Sequence, residues 1–570
     1  MSQKRDPYRG LKIKGSELRL LILQPGSWEQ ELNCNLETVS HPRERKFEAL
    51  SYTWGDVRDL HQITVNDASI GITANLKIAL HHLRRPDSSR KLWIDALCID
   101  QEDHEEKGRQ VQRMGEIFAT ASSVLAWLGP PDSGSEEAMS AIDQIGKTLW
   151  PIVCGEEDDG SKSDNGFEYL RSLPPEGFEQ LGLCLGAMNW EAIWALCERS
   201  YWHRVWIIQE LALAGDIFRN AHQNRCIVGC GSTWISLPVF SAFVFLFGII
   251  RGNAQWMEES TRPPLRLLTT RGAPAVEAMF QIIWSLDAIF NEDEDSRAKR
   301  SLGHLLRMSR RFEATDPRDK LYAFLELAES QLVTPDYTLS ASEVYVKWVQ
   351  ACIETDRNLF CLRGNRELSN TFGPSWVPEL YSRVWDGYAF EVAALNDKTA
   401  RLPAVVSFIE NDSVLKARGI SLGVLDRVVG PFSADFNQHE NNDNDGPISV
   451  AAGTFERFLE LVQLYLSLPK HVQERAWRAF ILDMDTSNRD EPKSPAPDSF
   501  HHLWRVLISL DPIPDSFDDK VSKEMQLNKY LSPFTVSLDN ALYSERCFFV
   551  TDGLRVGLGP KSRSVLFSGV

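Results

Sequence analysis

The chain has 570 residues, 43% hydrophobic and 25% charged, with a formal net charge of −18. That composition excludes a collagen, a low-complexity tail and a membrane bundle, and the length is that of about two to four domains. So acidic a surface repels phosphate backbones, so nucleic acid is not an expected partner.

Ten cysteines are too few for a disulfide scaffold, and none are spaced Cys-x-x-Cys. The first residues, Met1-Ser-Gln-Lys-Arg-Asp-Pro-Tyr, have no apolar segment of the kind a secretory signal needs. The longest uncharged stretch, Cys226 to Ile250, is interrupted by Ser232, Ser236, Pro238 and Ser241. Its apolar part, Val239 to Ile250, is too short for a bilayer and reads as a buried helix. The expectation is a soluble, cytoplasmic protein with no membrane partner.

In chain order, Phe47-Glu-Ala-Leu-Ser-Tyr-Thr-Trp reads as a strand stopped at Gly55-Asp56, and Ile63 to Ile70 as a hairpin turning at Asn66-Asp67. Leu76, Ala79, Leu80 and Leu83 keep the helical period, with Thr73 or Asn75 as the cap. Leu92 to Ile99 is almost continuously apolar, which predicts a strand covered on both faces and closed by Asp100-Gln101. A helix from about Glu105, with Val111, Met114, Phe118 and Ala121 on one stripe, leads to a third strand at Ser123 to Leu128. Strand and helix in alternation predict an α/β fold with a parallel sheet.

From Asp132 to Gly186 the pattern weakens, and Glu156 to Asp164 reads as a solvated loop. Helices are expected at Trp190 to Leu196 and from Ser200 to a stop at Gly215, and the chain to about Ala328 looks largely helical. Pro374-Ser-Trp-Val-Pro and Ser413 to Gly419 point to a further region containing strands, with exposed loops near 433–447 and 485–499.

No P-loop, dinucleotide-binding glycine motif, His-Glu-x-x-His or Gly-x-Ser-x-Gly elbow is present. His222, Cys226 and Cys230 have metal-like spacing but no fourth ligand nearby, so buried thiols are expected and no metal. Polar residues at strand ends remain. Asp56, Asp95 and Asp100 follow or close strands, where ligands of open parallel sheets bind, and Tyr52 and Trp54 offer flat surfaces for a ring. Capping the following helices is the competing role for the aspartates. Glu210 lies in Val205-Trp-Ile-Ile-Gln-Glu-Leu-Ala-Leu-Ala, where almost every helix face is apolar. A carboxylate there serves acid–base or cation-stabilising chemistry, or else forms a structural pair with Arg204, His203 or Arg113.

Five blocks carry a resemblance: Ala49-Leu-Ser-Tyr-Thr-Trp-Gly, Leu92-Trp-Ile-Asp-Ala-Leu-Cys-Ile-Asp-Gln, Gln110-Val-Gln-Arg-Met-Gly-Glu-Ile-Phe, Val124-Leu-Ala-Trp-Leu-Gly and Tyr201-Trp-His-Arg-Val-Trp-Ile-Ile-Gln-Glu-Leu. In this order they resemble the signature blocks of the fungal heterokaryon incompatibility (HET) domain. Asp316-Pro-Arg-Asp-Lys-Leu-Tyr-Ala-Phe-Leu is similar to a segment that often follows it. Lys107 stands where the family more often has arginine, and Glu326 where it commonly has glycine. Arg546 to Pro560 is similar to the family's closing strands, and the chain ends at Val570 sooner than that pattern implies.

The resemblance implies a role in fungal non-self recognition and programmed cell death. It also implies a HET domain at 15–215, a helical region at 216–330 packed on it, and a mixed α+β region at 331–570. HET domains in turn resemble Toll/interleukin-1 receptor (TIR) domains, which have a flavodoxin-like parallel α/β fold. In NAD-cleaving TIR enzymes the essential helix glutamate corresponds to Glu210, with Trp206 and Leu211 in register. On that analogy NAD is a substrate rather than a cofactor, and Trp206 joins Tyr52, Trp54, Asp56, Asp95 and Asp100 as substrate-binding residues. The alternative implied is a non-catalytic assembly module that self-associates or recruits another HET or NLR-type protein.

Overall fold

A computed structural model describes residues 7–42, 46–153, 165–215, 223–252, 312–329 and 332–356. Towards the C-terminus it describes 406–409, 414–417, 425–432, 452–480, 496–508, 546–554 and 556–560, with a few single positions in between. The expected loops at 156–164 and 433–447, and His222, lie outside the described residues. The chain divides into two compact units, Met1–Trp348 and Val349–Val570.

The first unit is built on nine strands: β1 (Leu18–Leu23), β2 (Asn33–Val39), β3 (Glu48–Tyr52), β4 (Leu60–Val65), β5 (Ala68–Thr73), β6 (Arg90–Trp93), β7 (Ser123–Trp127), β8 (Cys226–Cys230) and β9 (Thr233–Ser236). They form one sheet in the order β5-β4-β2-β1-β6-β3-β7-β8-β9. Its centre, β6-β3-β7-β8, is parallel throughout, with Glu48 opposite both Leu92 and Ser123, and Val124 opposite Cys226. Taking β3 as first, that is the order second, first, third, fourth of flavodoxin-like sheets, whose ligand crevice lies where the winding reverses beside the first strand. β1 and β9 flank this core antiparallel, so the whole sheet is mixed.

The helices of this unit are α1 (Ala74–Leu83), α2 (Asp95–Cys98), α3 (His104–Gln112), α4 (Met114–Thr120), α5 (Ser135–Val153), α6 (Asn165–Ser172), α7 (Pro175–Gln180), α8 (Trp190–Cys197), α9 (Trp206–Ala212) and α10 (Leu237–Gly252). α9 packs on β7 and α4, while α5 packs against α8 and α10. Among the described residues no helix is long and apolar enough to cross a membrane.

The β4–β5 hairpin turns at Asn66 and Asp67, both at positive φ (51° and 59°), as the turn that matches strand twist requires. Asn66 is tied into place, its Oδ1 accepting from Leu36 N–H at 2.9 Å and its Nδ2 donating to the Pro7 carbonyl at 3.0 Å. Asp67 bears the left-handed conformation without such ties among the described residues, so Asp67→Gly is expected to raise stability by about 0.5–1 kcal/mol. The urea midpoint checks this, and a lowered midpoint contradicts it.

Two expected elements are corrected. The strand expected at Leu92–Ile99 ends at Trp93, and Asp95–Cys98 coils into α2. Ile94, Leu97 and Cys98 are buried at helical spacing, and Cys98 N–H donates to the Ile94 carbonyl at 2.7 Å. The single helix expected from Ser200 is a 3₁₀ turn, Ser200–His203, then an extended Arg204, then α9. The break comes from Glu313, whose N–H donates to His203 O and whose carbonyl accepts from Val205 N–H at 3.0 Å. The β8–β9 hairpin ahead of α10 is an element the sequence reading does not contain.

The second unit holds a two-stranded sheet, Val406–Ile409 with Val414–Ala417, and a three-stranded sheet of Leu425–Phe432, Arg546–Thr551 and Val556–Pro560. Helices Ala452–Ser467, Lys470–Phe480 and Ser499–Leu507 supply Leu461, Tyr465, Trp477 and Trp504 to a core that also takes Phe548 and Val550. The strands expected around Ser413 and after Arg546 are therefore present.

Candidate functional site

Ser51 lies in the buried run Ala49–Tyr52 of β3, between Leu50 and Tyr52, and 1% of it is exposed. Its hydroxyl lies 2.8 Å from the Tyr201 hydroxyl and donates to the Glu210 carboxylate. Glu210, on α9, is 3% exposed. Burial pushes its pKa up to about 7, against the opposing pull of Arg204 and the Ser51 hydroxyl, and the charge of Asp95 adds to the rise. Among the described residues no cation lies within ion-pairing distance of Glu210. Arg113, one proposed partner, instead pairs with Glu116 at 3.1 Å.

The second acid of the cluster is Asp95, at the first position after the β6–α2 corner. Its Oδ2 accepts from the Trp54 indole N–H at 2.9 Å and its Oδ1 from Ala96 N–H at 2.7 Å. Desolvation raises its pKa, while Arg204 and the Trp54 N–H hold it down. Tyr52 is buried, and burial together with the charge of Asp95 places its hydroxyl well above the ordinary range. Ser51, Tyr52, Trp54, Asp95, Arg204 and Glu210 thus meet around the carboxyl ends of β3 and β6. Asn75 fixes that edge, donating to the Thr53 carbonyl at 2.6 Å and accepting from the Trp127 indole at 3.1 Å.

Three predicted residues stand elsewhere. Asp56 is exposed and paired with Arg58 at 2.9 Å, which lowers its pKa. Asp100 closes a turn by accepting from Glu102 N–H at 3.1 Å, and the cap of α3 is Asp103, which accepts from Glu106 N–H at 3.0 Å. Trp206 points its indole N–H at Asp319, 3.1 Å away.

The segment after Phe312 also holds α9, through Trp206 and Gln209. Asp319 receives Trp206 and, at 2.7 Å, the Tyr337 hydroxyl. The buried Gln209 amide, in the orientation that satisfies both ends, donates to Ala323 O at 2.9 Å and accepts from Gly115 N–H at 3.1 Å. Lys107 lies over the Tyr337 ring at 4.3 Å. A Cβ at Gly115 would stand 2.5 Å from that of Glu326, so the two positions depend on each other. Sequence reasoning missed Ser51, Tyr201 and Asp319. Only Ser51 leaves a local signal, a hydroxyl inside an apolar strand.

Cys226 and Cys230 are free on β8; Cys226 is fully enclosed, and burial pushes up both thiols.

The site is thus two desolvated acids and an arginine at the carboxyl edge of a parallel α/β core in flavodoxin order. Residues 47–210, from just before β3 to Glu210, match the family described as heterokaryon incompatibility protein (HET). The chain is similar to heterokaryon incompatibility protein 6, OR allele, of Neurospora crassa, at 28% identity over 465 residues covering 73% of this chain. It spans 65% of that relative's length. No solved structure matches it.

Proposed function

We propose that this chain acts in heterokaryon incompatibility and that its HET domain works by cleaving NAD at the nicotinamide–ribose bond. The observation that carries the reading is Glu210, a carboxyl raised to about 7 at the carboxyl edge of the sheet, with no cation among the described residues paired to it. Groups so perturbed cluster at functional sites. A structural ion pair, by contrast, would have held the pKa down.

In the proposed reaction the C1′–N bond breaks with its electron pair leaving on nicotinamide, which departs as a neutral base. Ionised Glu210 faces the oxocarbenium-like ribose, water adds to C1′, and one proton is released, giving nicotinamide and ADP-ribose. Trp54 offers a ring surface, and Asp95 accepts a polar group from the ligand. The working form of Glu210 is the anion, so activity increases with pH. Nicotinamide release under limiting NAD is expected to climb about tenfold from pH 6 to pH 8, with its midpoint near 7. A profile flat across that range would remove Glu210 from the reaction.

One observation favours the second reading, a non-catalytic assembly module: Glu210 is 3% exposed and sealed by Ser51 and Tyr201. Under that reading no NAD is consumed, whether the protein is dilute or clustered.

A further inference from the structure

We propose that Arg204 is an oxyanion-binding residue that grips the pyrophosphate of a dinucleotide beside Glu210. The choice of a dinucleotide rests on the reaction proposed above, whereas the anion site rests on Arg204 itself.

A buried or half-buried arginine that serves the fold spends its donors on the fold, and other arginines of the first unit do so. Arg84 donates to the carbonyls of Ser27, Gln30 and Glu31, and Arg199 to those of Leu128 and Pro130 and to Asp132. Arg318 reaches Asp316 and the carbonyls of Tyr337 and Leu339. Among the described residues Arg204 makes no such bond from its guanidinium, and its Nη1 is shut off from solvent with no acceptor. A buried donor without a partner carries its full desolvation cost. An acceptor brought by a ligand removes that cost.

The root of the side chain is fixed while its head is unused. Arg204 is extended (φ −76°, ψ 134°), its N–H donates to the Tyr201 carbonyl at 3.3 Å, and the residues on either side of it are hydrogen-bonded to Glu313. Both acids of the site sense its charge, which pulls each towards ionisation, yet neither comes within 4 Å of it. A cation held in place, beside two reluctant acids and not claimed by either, is available to an incoming anion. The planar guanidinium fork suits two phosphate oxygens at once. Anchoring there would bring the ligand's ribose alongside Glu210.

The test is titration calorimetry on the full chain with ADP-ribose, which lacks the scissile bond, against adenosine, which lacks the phosphates. The wild type is expected to prefer ADP-ribose at least tenfold. Arg204→Gln should weaken ADP-ribose about tenfold to a hundredfold and leave adenosine unchanged, with Arg204→Lys in between. Equal ADP-ribose affinity in wild type and both variants overturns the inference even where NAD is cleaved, and leaves the proposed reaction standing. Arg204-dependent binding of ADP-ribose or of inorganic pyrophosphate without NAD cleavage upholds the anion site while the reaction falls. Binding of neither ADP-ribose nor pyrophosphate by the wild type overturns the site. Thermal unfolding of each variant confirms that it is folded, and Arg204→Lys, which keeps the charge, carries the test should Arg204→Gln fail to fold.

Discussion

Glutamine in place of Glu210 is expected to stabilise the first unit by about 3 kcal/mol at pH 8 and to leave it unchanged near pH 4. The carboxyl moves from an ordinary 4.5 to about 7 on folding, because burial disfavours its charged form. Between those values the folded chain holds a proton that the unfolded chain has released. The stabilising contribution of the neutral acid is therefore complete below 4.5, fades as pH rises, and is gone above about 7. Glutamine keeps the shape and can still accept from the Ser51 hydroxyl, but it never has to ionise inside the protein. The gain of the variant over the wild type should accordingly open up between pH 4.5 and 7 and stay level above that. Urea unfolding followed by tryptophan fluorescence across this range measures it, and a difference independent of pH would contradict it. A functional group that costs stability is what a strained site looks like from the outside.

Loss of Arg19 should act in the opposite direction and at every neutral pH. Arg19 and Glu106 form an ion pair at 1% and 4% exposure. The guanidinium also donates to the Cys98 and Leu11 carbonyls, both at 2.9 Å, and Tyr8 stacks over it at 4.6 Å. Arg19→Met strands Glu106 as an uncompensated buried charge and is expected to cost about 3–5 kcal/mol. Adding Glu106→Gln removes that charge and should restore part of the loss. A double variant as unstable as the single would show that the lost carbonyl bonds, not the stranded charge, dominate. Cys98 ends the helical turn that begins at Asp95, so this pair also holds the wall of the candidate site.

Local pattern made much of this legible. The β4–β5 hairpin followed from Asn66-Asp67, α1 from the spacing of Leu76, Ala79, Leu80 and Leu83, and β7 from its apolar run. Glu210 was legible because a lone acid on an apolar helix has few uses. What escaped was set by distant partners. The break between His203 and Trp206 depends on Glu313, more than a hundred residues away, and no helical period can announce it. Ile94, Leu97 and Cys98 satisfy a buried strand and a buried turn equally well in sequence, and the hydrogen bonds decided for the turn. Asp56 and Asp100 sat at strand ends, as ligand-binding residues do, yet local bonds to Arg58 and Glu102 occupy them. Trp206 was placed on the correct helix, and its indole is taken by Asp319.

The most direct test of the central claim is nicotinamide release from NAD by the purified full chain, dilute and under forced clustering, beside Glu210→Gln. The account predicts release by the wild type in at least one of these states and a loss of at least a hundredfold in the variant, which stays folded. No release by the wild type in either state, or undiminished release by Glu210→Gln, would contradict it.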